Sequence, residues 1–204
     1  MRGGALLSQA FMRRSRSLAK LRQSRVIHLC GVPGVGKSHL GAALAARLGI
    51  PLVGIDSERV ALLKPHEVWP ENDAVAWGNL EDKIDAAGRC IVETSGWHGN
   101  DVVLFGGRAV FRVLVTAADD VRRERLALRQ DRGDVIGWGP DYVERIMRLA
   151  PPKIGGVAAT VDTSDGGPDA AGLDALVARM GAFLEGCDEC KRDGGGHFWY
   201  CARA

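Results

Sequence analysis

A glycine-rich segment near the start of the chain carries the strongest chemical signal. Residues 31–38 (GVPGVGKS) match the pattern G-x-x-x-x-G-K-S/T at every fixed position. Glycines let the backbone curl so that its N–H groups point inward at phosphate oxygens, and a following helix adds partial positive charge. The segment therefore predicts a site for a nucleoside triphosphate, and we expect ATP.

The residues of this loop have separate expected roles. Lys37 is expected to reach the β- and γ-phosphates, and the Ser38 hydroxyl to hold Mg²⁺. No N-K-x-D motif for reading guanine occurs in the chain, which disfavours a GTPase. The predicted nucleotide-binding residues of this segment are Gly31, Gly34, Val35, Gly36, Lys37, Ser38 and His39.

The tail carries a second group of residues with possible chemistry. Cys187, Cys190, His197 and Cys201 are ligands of the types that zinc prefers, and aromatic residues lie among them. The group resembles a zinc knuckle, although its spacing differs from the usual one. A tail with incidental cysteines is the equal alternative. Cys30 and Cys90 instead lie in apolar runs and are predicted to be small core residues.

The elements that position these residues follow from the hydrophobic pattern. Apolar, strand-like runs lie at residues 25–30, 51–55, 89–94, 109–116 and 157–163. Helical patterns lie between and after them, at residues 37–48, 57–63, 74–87, 118–130, 141–149 and 168–184. Strands that alternate with helices predict an α/β fold, with a parallel sheet covered on both faces.

The order strand, phosphate loop, helix and then Ile55-Asp56-Ser57-Glu58-Arg59 resembles the P-loop kinases of the polynucleotide-kinase and zeta-toxin type. These kinases belong to the wider group of adenylate-kinase-like phosphotransferases. The resemblance covers roughly residues 26–184 and implies a three-layer α/β/α fold with five parallel strands in the order 2-3-1-4-5. It implies a kinase domain at residues 25–185, between a basic arm at 1–24 and a Cys/His appendage at 186–204.

The resemblance also implies roles on the acceptor side of the site. An Asp after the second strand of such kinases faces the acceptor hydroxyl, and an Arg three residues later helps to hold the substrate; Asp56 and Arg59 stand there. A carboxylate at that edge can accept the hydroxyl proton, although Asp56 could instead cap the next helix. Glu93 stands where an acidic residue orients Mg²⁺ water or substrate. Trp97 is expected to line the acceptor pocket or simply to pack.

Five arginines crowd one predicted helix and the loop that follows it, namely Arg122, Arg123, Arg125, Arg129 and Arg132. In the resembling kinases, arginines here close over the phosphates as a lid and neutralise charge on the transferring group. The resemblance implies that Arg129 and Arg132 are the catalytic pair, that Arg125 also binds the nucleotide, and that the lid spans about residues 125–140. Pairing with neighbouring carboxylates on a solvated face is the alternative.

Composition limits the class of protein and its partners. Hydrophobic residues make up 46% of the 204 residues and charged residues 25%, as in a globular protein, and no apolar run is long enough for a membrane span. We therefore expect a cytoplasmic location. The first 25 residues carry seven basic side chains and no acidic one, although the whole chain has a net charge of only +2. Such an arm suggests nucleic acid, a transit peptide or a solvated helix.

These features together predict an ATP-dependent kinase acting on a hydroxyl. The basic arm, the zinc hypothesis and five tryptophans favour an acceptor on a nucleic acid or nucleotide, either a 5′-hydroxyl or a hydroxymethylated base. One alternative is a small-molecule kinase acting on a sugar, nucleoside or antibiotic. Another is an ATP-dependent switch that hydrolyses slowly and phosphorylates nothing. At 204 residues the chain is short for a motor or an AAA-type machine.

Overall fold

The protein is described by a computed structural model that covers residues 24–64, 67, 70–96, 104–105, 108–133 and 140–186. The strands are β1 (Arg25–Cys30), β2 (Leu52–Gly54), β3 (Arg89–Glu93), β4 (Ala109–Thr116) and β5 (Val157–Asp162). The helices are α1 (Lys37–Leu48), α2 (Ile55–Leu62), α3 (Asp73–Ala87), α4 (Asp119–Asp131), α5 (Tyr142–Met147) and α6 (Ala170–Glu185).

The five strands form one parallel sheet in the order β2-β3-β1-β4-β5, which confirms the predicted fold class and strand order. Strand β1 lies at the centre, where Ile27 pairs with Ile91 on one side and Phe111 on the other. All strands run the same way, so their carboxyl ends meet at one edge. In open α/β sheets, ligands bind in the crevice outside this edge, at the point where the strand order reverses. Here that point lies beside the central strand β1.

Two apolar cores cover the two faces of the sheet. Ile27 and Leu29 point to the face covered by α1 and α6, where they pack with Leu44 and Met180. The neighbouring Val26 points to the opposite face. That second core also contains Ile55, Trp77, Leu80, Ile84, Cys90, Val92 and Phe105. Buried on both faces, the central strand needs a continuous apolar run, and this explains the RVIHLC pattern.

The boundaries of most elements differ from the prediction by one or two residues. Helix α2 begins at Ile55 rather than at residue 57, and α3 begins at Asp73 rather than at 74. Both changes bring a carboxylate, Asp56 or Asp73, into the first turn, where the helix dipole favours negative charge. Cys30 and Cys90 are buried in the core, as predicted. No helix in the described ranges is long and apolar enough to cross a membrane.

Candidate active site

The phosphate loop joins β1 to α1 at the carboxyl edge of the sheet. Gly34 and Gly36 have φ angles of 88° and 85°, in the left-handed region that favours glycine. Gly36 is also the N-cap residue of α1 and makes no side-chain capping bond. The first-turn N–H groups of α1 therefore lack a side-chain cap, and this arrangement suits a bound phosphate.

Lys37 folds back over this loop. Its ammonium group donates to the carbonyl oxygens of Gly31 at 2.9 Å and Val32 at 3.2 Å, and the residue is buried. Burial lowers the pKa of Lys37 from its ordinary value, while the nearby Glu93 and Asp56 carboxylates act in the opposite direction. The loop lysine, the end of β3 and the start of α2 thus share one electrostatic environment.

Ser38 and Glu93 connect the phosphate loop to the end of β3. The Ser38 hydroxyl donates a hydrogen bond to Oε1 of Glu93 at 2.8 Å. A hydroxyl and a carboxylate side by side offer the oxygen ligands that Mg²⁺ prefers. The residues present therefore fit a Mg²⁺ ion beside the phosphates.

A cavity of about 460 Å³ opens beside the loop, between α1, α4 and the segment after β5. Its volume lies within the range of small-molecule and cofactor sites. Four polar residues line it, namely Ser38, Arg125, Arg129 and Arg132. The rest of the lining is mainly apolar and includes Leu40, Ala43, Leu128, Gly166, Gly167, Pro168 and Leu173, together with His39. The shape and chemistry suit a nucleoside attached to phosphates.

Arg125 holds the segment after β5 against the phosphate loop. Its guanidinium donates to the hydroxyl of Thr163 at 2.9 Å and to the Thr163 carbonyl at 2.6 Å. The Thr163 hydroxyl in turn donates to the carbonyl oxygen of Val35 at 2.6 Å. Thr163 therefore ties β5 to the loop, a role that the sequence did not indicate because no motif marks the residue.

Asp56 lies in the first turn of α2 with its carboxylate exposed. The N-cap of that helix is Gly54, so the alternative that Asp56 is the capping residue does not hold. Burial raises the pKa of Tyr142, and the Asp56 carboxylate adds to that increase. Asp56 follows Gly54, which pairs with Glu93, so it stands at the same carboxyl edge of the sheet as the Ser38–Glu93 pair.

Arg59 is buried and contacts two carboxylates of its own chain. Its Nε and Nη2 donate to Asp73 at 2.7 and 3.1 Å, and its Nη1 donates to Asp56 at 3.3 Å. The substrate-binding role predicted for Arg59 from the resemblance requires a guanidinium that reaches into the pocket. Here all three of its nitrogens already donate to carboxylates within the protein.

The lid arginines divide into two groups. Arg129 lies in the crevice, where its charge acts on Lys37 and where it forms a hydrogen bond with Tyr142. Burial raises the pKa of Tyr142, and Arg129 opposes that increase. Arg122, which is buried, instead pairs with Asp119 at 2.7 Å, and the exposed Arg123 pairs with Glu144. No feature of the sequence indicated Tyr142.

Several predicted residues lie outside the described part of the chain. They are Trp97 in the acceptor pocket and the tail residues Cys187, Cys190, His197 and Cys201. The basic arm, apart from Ser24, and the centre of the predicted lid at residues 134–139 are also outside it. Within the described ranges, no three His, Cys, Asp or Glu residues cluster in a way that could hold a metal ion. The zinc hypothesis stays a prediction from the sequence.

Solved structures of P-loop kinases share this architecture. A candidate kinase from Chloroflexus aurantiacus aligns with a TM-score of 0.60 at 22% identity, over 78% of this chain and 97% of that one. The APS kinase CysC of Mycobacterium tuberculosis, solved with AMPPNP and APS, aligns with a TM-score of 0.51 at 17% identity, over 80% and 99%. At these identities the likeness shows the fold alone.

Sequence comparisons supply the family. No curated protein matches the chain. A family model described as an AAA domain matches residues 27–144, from β1 through the phosphate loop and α4 into α5. This family was not predicted from the sequence, since the chain is short for an AAA-type machine. Because the match spans more than half of the sequence and includes the whole phosphate loop, the chain belongs to the AAA domain family, with the fold of the P-loop kinases.

Proposed function

We propose that this protein is an ATP-dependent kinase that transfers the γ-phosphoryl group to a hydroxyl. The observation that carries the proposal is that Lys37, the Ser38–Glu93 pair and Asp56 at the start of α2 all stand at the carboxyl edge of the sheet. A phosphate-binding loop by itself fits any nucleotide hydrolase. A carboxylate at the same edge supplies the proton acceptor that phosphoryl transfer to an alcohol also needs.

Nucleotide binding would use the cavity beside the loop. The N-terminus of α1, which lacks a side-chain cap, and Lys37 would receive the phosphates, and the apolar lining residues of the cavity would contact the base and ribose. Lys37 now donates to two loop carbonyls, and it would exchange them for β- and γ-phosphate oxygens. Ser38 and Glu93 would hold Mg²⁺, directly or through water, and the ion would neutralise charge on the triphosphate.

The transfer step then follows from the arrangement of the side chains. The acceptor hydroxyl oxygen attacks the γ-phosphorus while Asp56 takes its proton, and the bond from the γ-phosphorus to the β,γ-bridging oxygen breaks, so that ADP leaves. Arg129 and Arg132 would stabilise the charge that spreads over the transferring group. Such a site accelerates the reaction through positioning and electrostatics, without a covalent intermediate.

The acceptor is a hydroxyl compound whose class has two candidates. The APS kinase of the same fold was solved with the small molecule APS, which favours a small-molecule acceptor here. The features that favour a nucleic acid, the basic arm and the Cys/His tail, are sequence features outside the described residues. The described residues therefore support a hydroxyl acceptor, whereas a polynucleotide acceptor is supported by the sequence alone.

The proposal is tested by incubating the full chain with Mg²⁺ and γ-labelled ATP. The acceptor panel contains a 5′-hydroxyl oligodeoxynucleotide, an oligoribonucleotide, nucleosides and sugars. We expect label on at least one acceptor, and Asp56→Asn should reduce that transfer on the order of 100-fold while ATP still binds. Asp82→Asn, an exposed change on α3, is the matched control and should transfer normally.

Two outcomes would redirect the proposal. Slow ATP hydrolysis that Asp56→Asn leaves unchanged, with no labelled acceptor, would favour the nucleotide-dependent switch over the kinase. If an acceptor is labelled, the salt dependence of its KM separates the classes. A nucleic acid should bind several-fold more weakly at raised salt, because the release of its counterions on binding becomes less favourable. The KM of a neutral sugar should hardly change.

A further inference from the structure

Asp73 and Trp77 form a partly buried polar network next to Arg59, which contacts the candidate base. They lie at the start of α3, one helical turn apart, so both side chains face α2. The indole Nε1 of Trp77 donates to Oδ2 of Asp73 at 3.0 Å. The same carboxylate accepts two hydrogen bonds from Arg59, which lies on α2. None of the roles assigned above includes Asp73 or Trp77.

The geometry fixes Arg59 from two sides. Its Nε and Nη2 form a bidentate pair with the two carboxylate oxygens of Asp73, and its guanidinium carbon lies 5.6 Å from the centroid of the Trp77 ring. A bidentate pair combined with stacking holds a planar guanidinium in one orientation. The Arg59 side chain is only 8% exposed, so this orientation is also enclosed by the surrounding protein.

The remaining nitrogen of the guanidinium points at the candidate base. Nη1 of Arg59 lies 3.3 Å from Oδ1 of Asp56, whose side chain is 87% exposed. An exposed aspartate with no partner would sample several rotamers and pair weakly. Here the partner is held in advance by Asp73 and Trp77, so the Asp56 carboxylate is directed by a rigid group rather than by a mobile surface side chain.

We propose that Asp73 is a positioning residue that orients the Asp56 carboxylate through Arg59, with Trp77 fixing Asp73 in turn. The expected effect of Asp73 on catalysis rests on the proposed function. Its expected effect on the position of the Asp56 carboxylate does not. The network also assigns Arg59 a different task from the substrate contact implied by the family resemblance, because its three nitrogens are engaged by Asp73 and Asp56.

The kinetic test is a double-mutant cycle in the full-length chain, with γ-labelled ATP and the panel hydroxyl that wild type phosphorylates. We expect Asp73→Asn to lower kcat roughly 10-fold and Trp77→Phe roughly 3-fold, with the Kd for ATP within about twofold of wild type. In an Asp56→Asn background, Asp73→Asn should cause no further loss, because it acts only through Asp56. Asp82→Asn, the same change at an exposed site of α3, is the control.

The outcomes separate positioning from a merely structural role. An equal loss from Asp73→Asn with and without Asp56 would overturn the proposal. Asp73→Asn also removes a favourable charge from the first turn of α3 and should lower the stability of the protein for that reason. The Tm of this variant is therefore compared with that of Trp77→Phe, which leaves the charge in place.

A second measurement does not depend on activity. Crystal structures of Asp73→Asn and Asp82→Asn should show the Arg59–Asp56 hydrogen bond broken in the first and kept near 3.3 Å in the second. An intact bond in Asp73→Asn would overturn the inference even if no acceptor is ever phosphorylated. If the bond is broken in Asp73→Asn and no transfer occurs in wild type, the positioning network stands and the proposed kinase function fails.

Discussion

The Ser38 hydroxyl donates to the Glu93 carboxylate at 2.8 Å, and this bond closes the phosphate loop onto the end of the third strand. The two residues are 55 positions apart in sequence, and the parallel pairing of β1 with β3 brings them together. Ser38 belongs to the phosphate-loop motif, whereas Glu93 lies at a strand end that only the family resemblance had marked as part of the site.

We predict that Glu93→Gln weakens the response to Mg²⁺ more than the binding of nucleotide. The change keeps the shape of the side chain but removes the charge that faces Ser38 and Lys37. The Mg²⁺ concentration for half-maximal ATP turnover should rise about tenfold, as is common for residues that support a metal ligand. Affinity for ADP without Mg²⁺ is the control and should change little. An unaltered Mg²⁺ titration would contradict the assigned role.

Gly31→Ala is expected to destabilise the fold. A Cβ at Gly31 would lie 2.3 Å from the backbone oxygen of Val115, and the φ angle of 152° adds strain. The strand and the loop would have to move apart, at a cost of about 3 kcal/mol of unfolding free energy. Thermal unfolding should show a fall in Tm of roughly 10 °C.

Gly49→Ala is the control for that measurement. Gly49 also has a positive φ, 64°, but a Cβ there would meet nothing within 4 Å. Only the left-handed backbone strain of about 1 kcal/mol should appear. Equal decreases of Tm in the two variants would show that the close approach to Val115 does not matter.

Thr163→Val should loosen the nucleotide cavity. Valine keeps the volume but removes the hydroxyl that donates to the Val35 carbonyl and accepts from Arg125. We expect the Kd for ATP to rise about tenfold and the unfolding free energy to fall by about 1–3 kcal/mol, since the buried Val35 oxygen loses a partner. Thr160→Val, at an exposed position of β5, should leave the Kd measured by calorimetry unaltered.

His28 makes the stability of the protein sensitive to acid. The imidazole is buried in β1 and bonded to the Thr94 hydroxyl at 2.8 Å. Burial, with the charges of Arg112 and Lys37, lowers the pKa of His28 from 6.5 to about 3. The unfolded chain therefore binds a proton more readily, so stability is complete above about pH 6.5 and is lost as pH falls towards 3.

Between pH 7 and pH 5 this coupling should lower the unfolding free energy by about 2 kcal/mol. Urea denaturation at the two pH values measures the difference. His28→Gln removes the titrating group and should abolish that part of the pH dependence, whereas His39→Gln, at an exposed position, should retain it. A pH dependence that survives in His28→Gln would assign the effect to other groups.

The sequence by itself determined the fold class and the phosphate half of the site. Alternating apolar runs and helical patterns specify a parallel α/β sheet because buried strands need apolar residues on both faces. The loop at residues 31–38 is readable because its chemistry depends on adjacent backbone N–H groups, one lysine and one hydroxyl, all within eight residues of chain.

Tertiary structure decided the remaining contacts, because they join residues that are far apart in sequence. Thr163 meets Val35 across 128 positions, and Arg59 reaches Asp73 on another helix. Spacing within one element predicts only which side chains share a face; the packing of α2 on α3 and the order of the strands determine which faces meet. For this reason Arg59 was recognisable as a candidate site residue, while its partners became evident only in the folded protein.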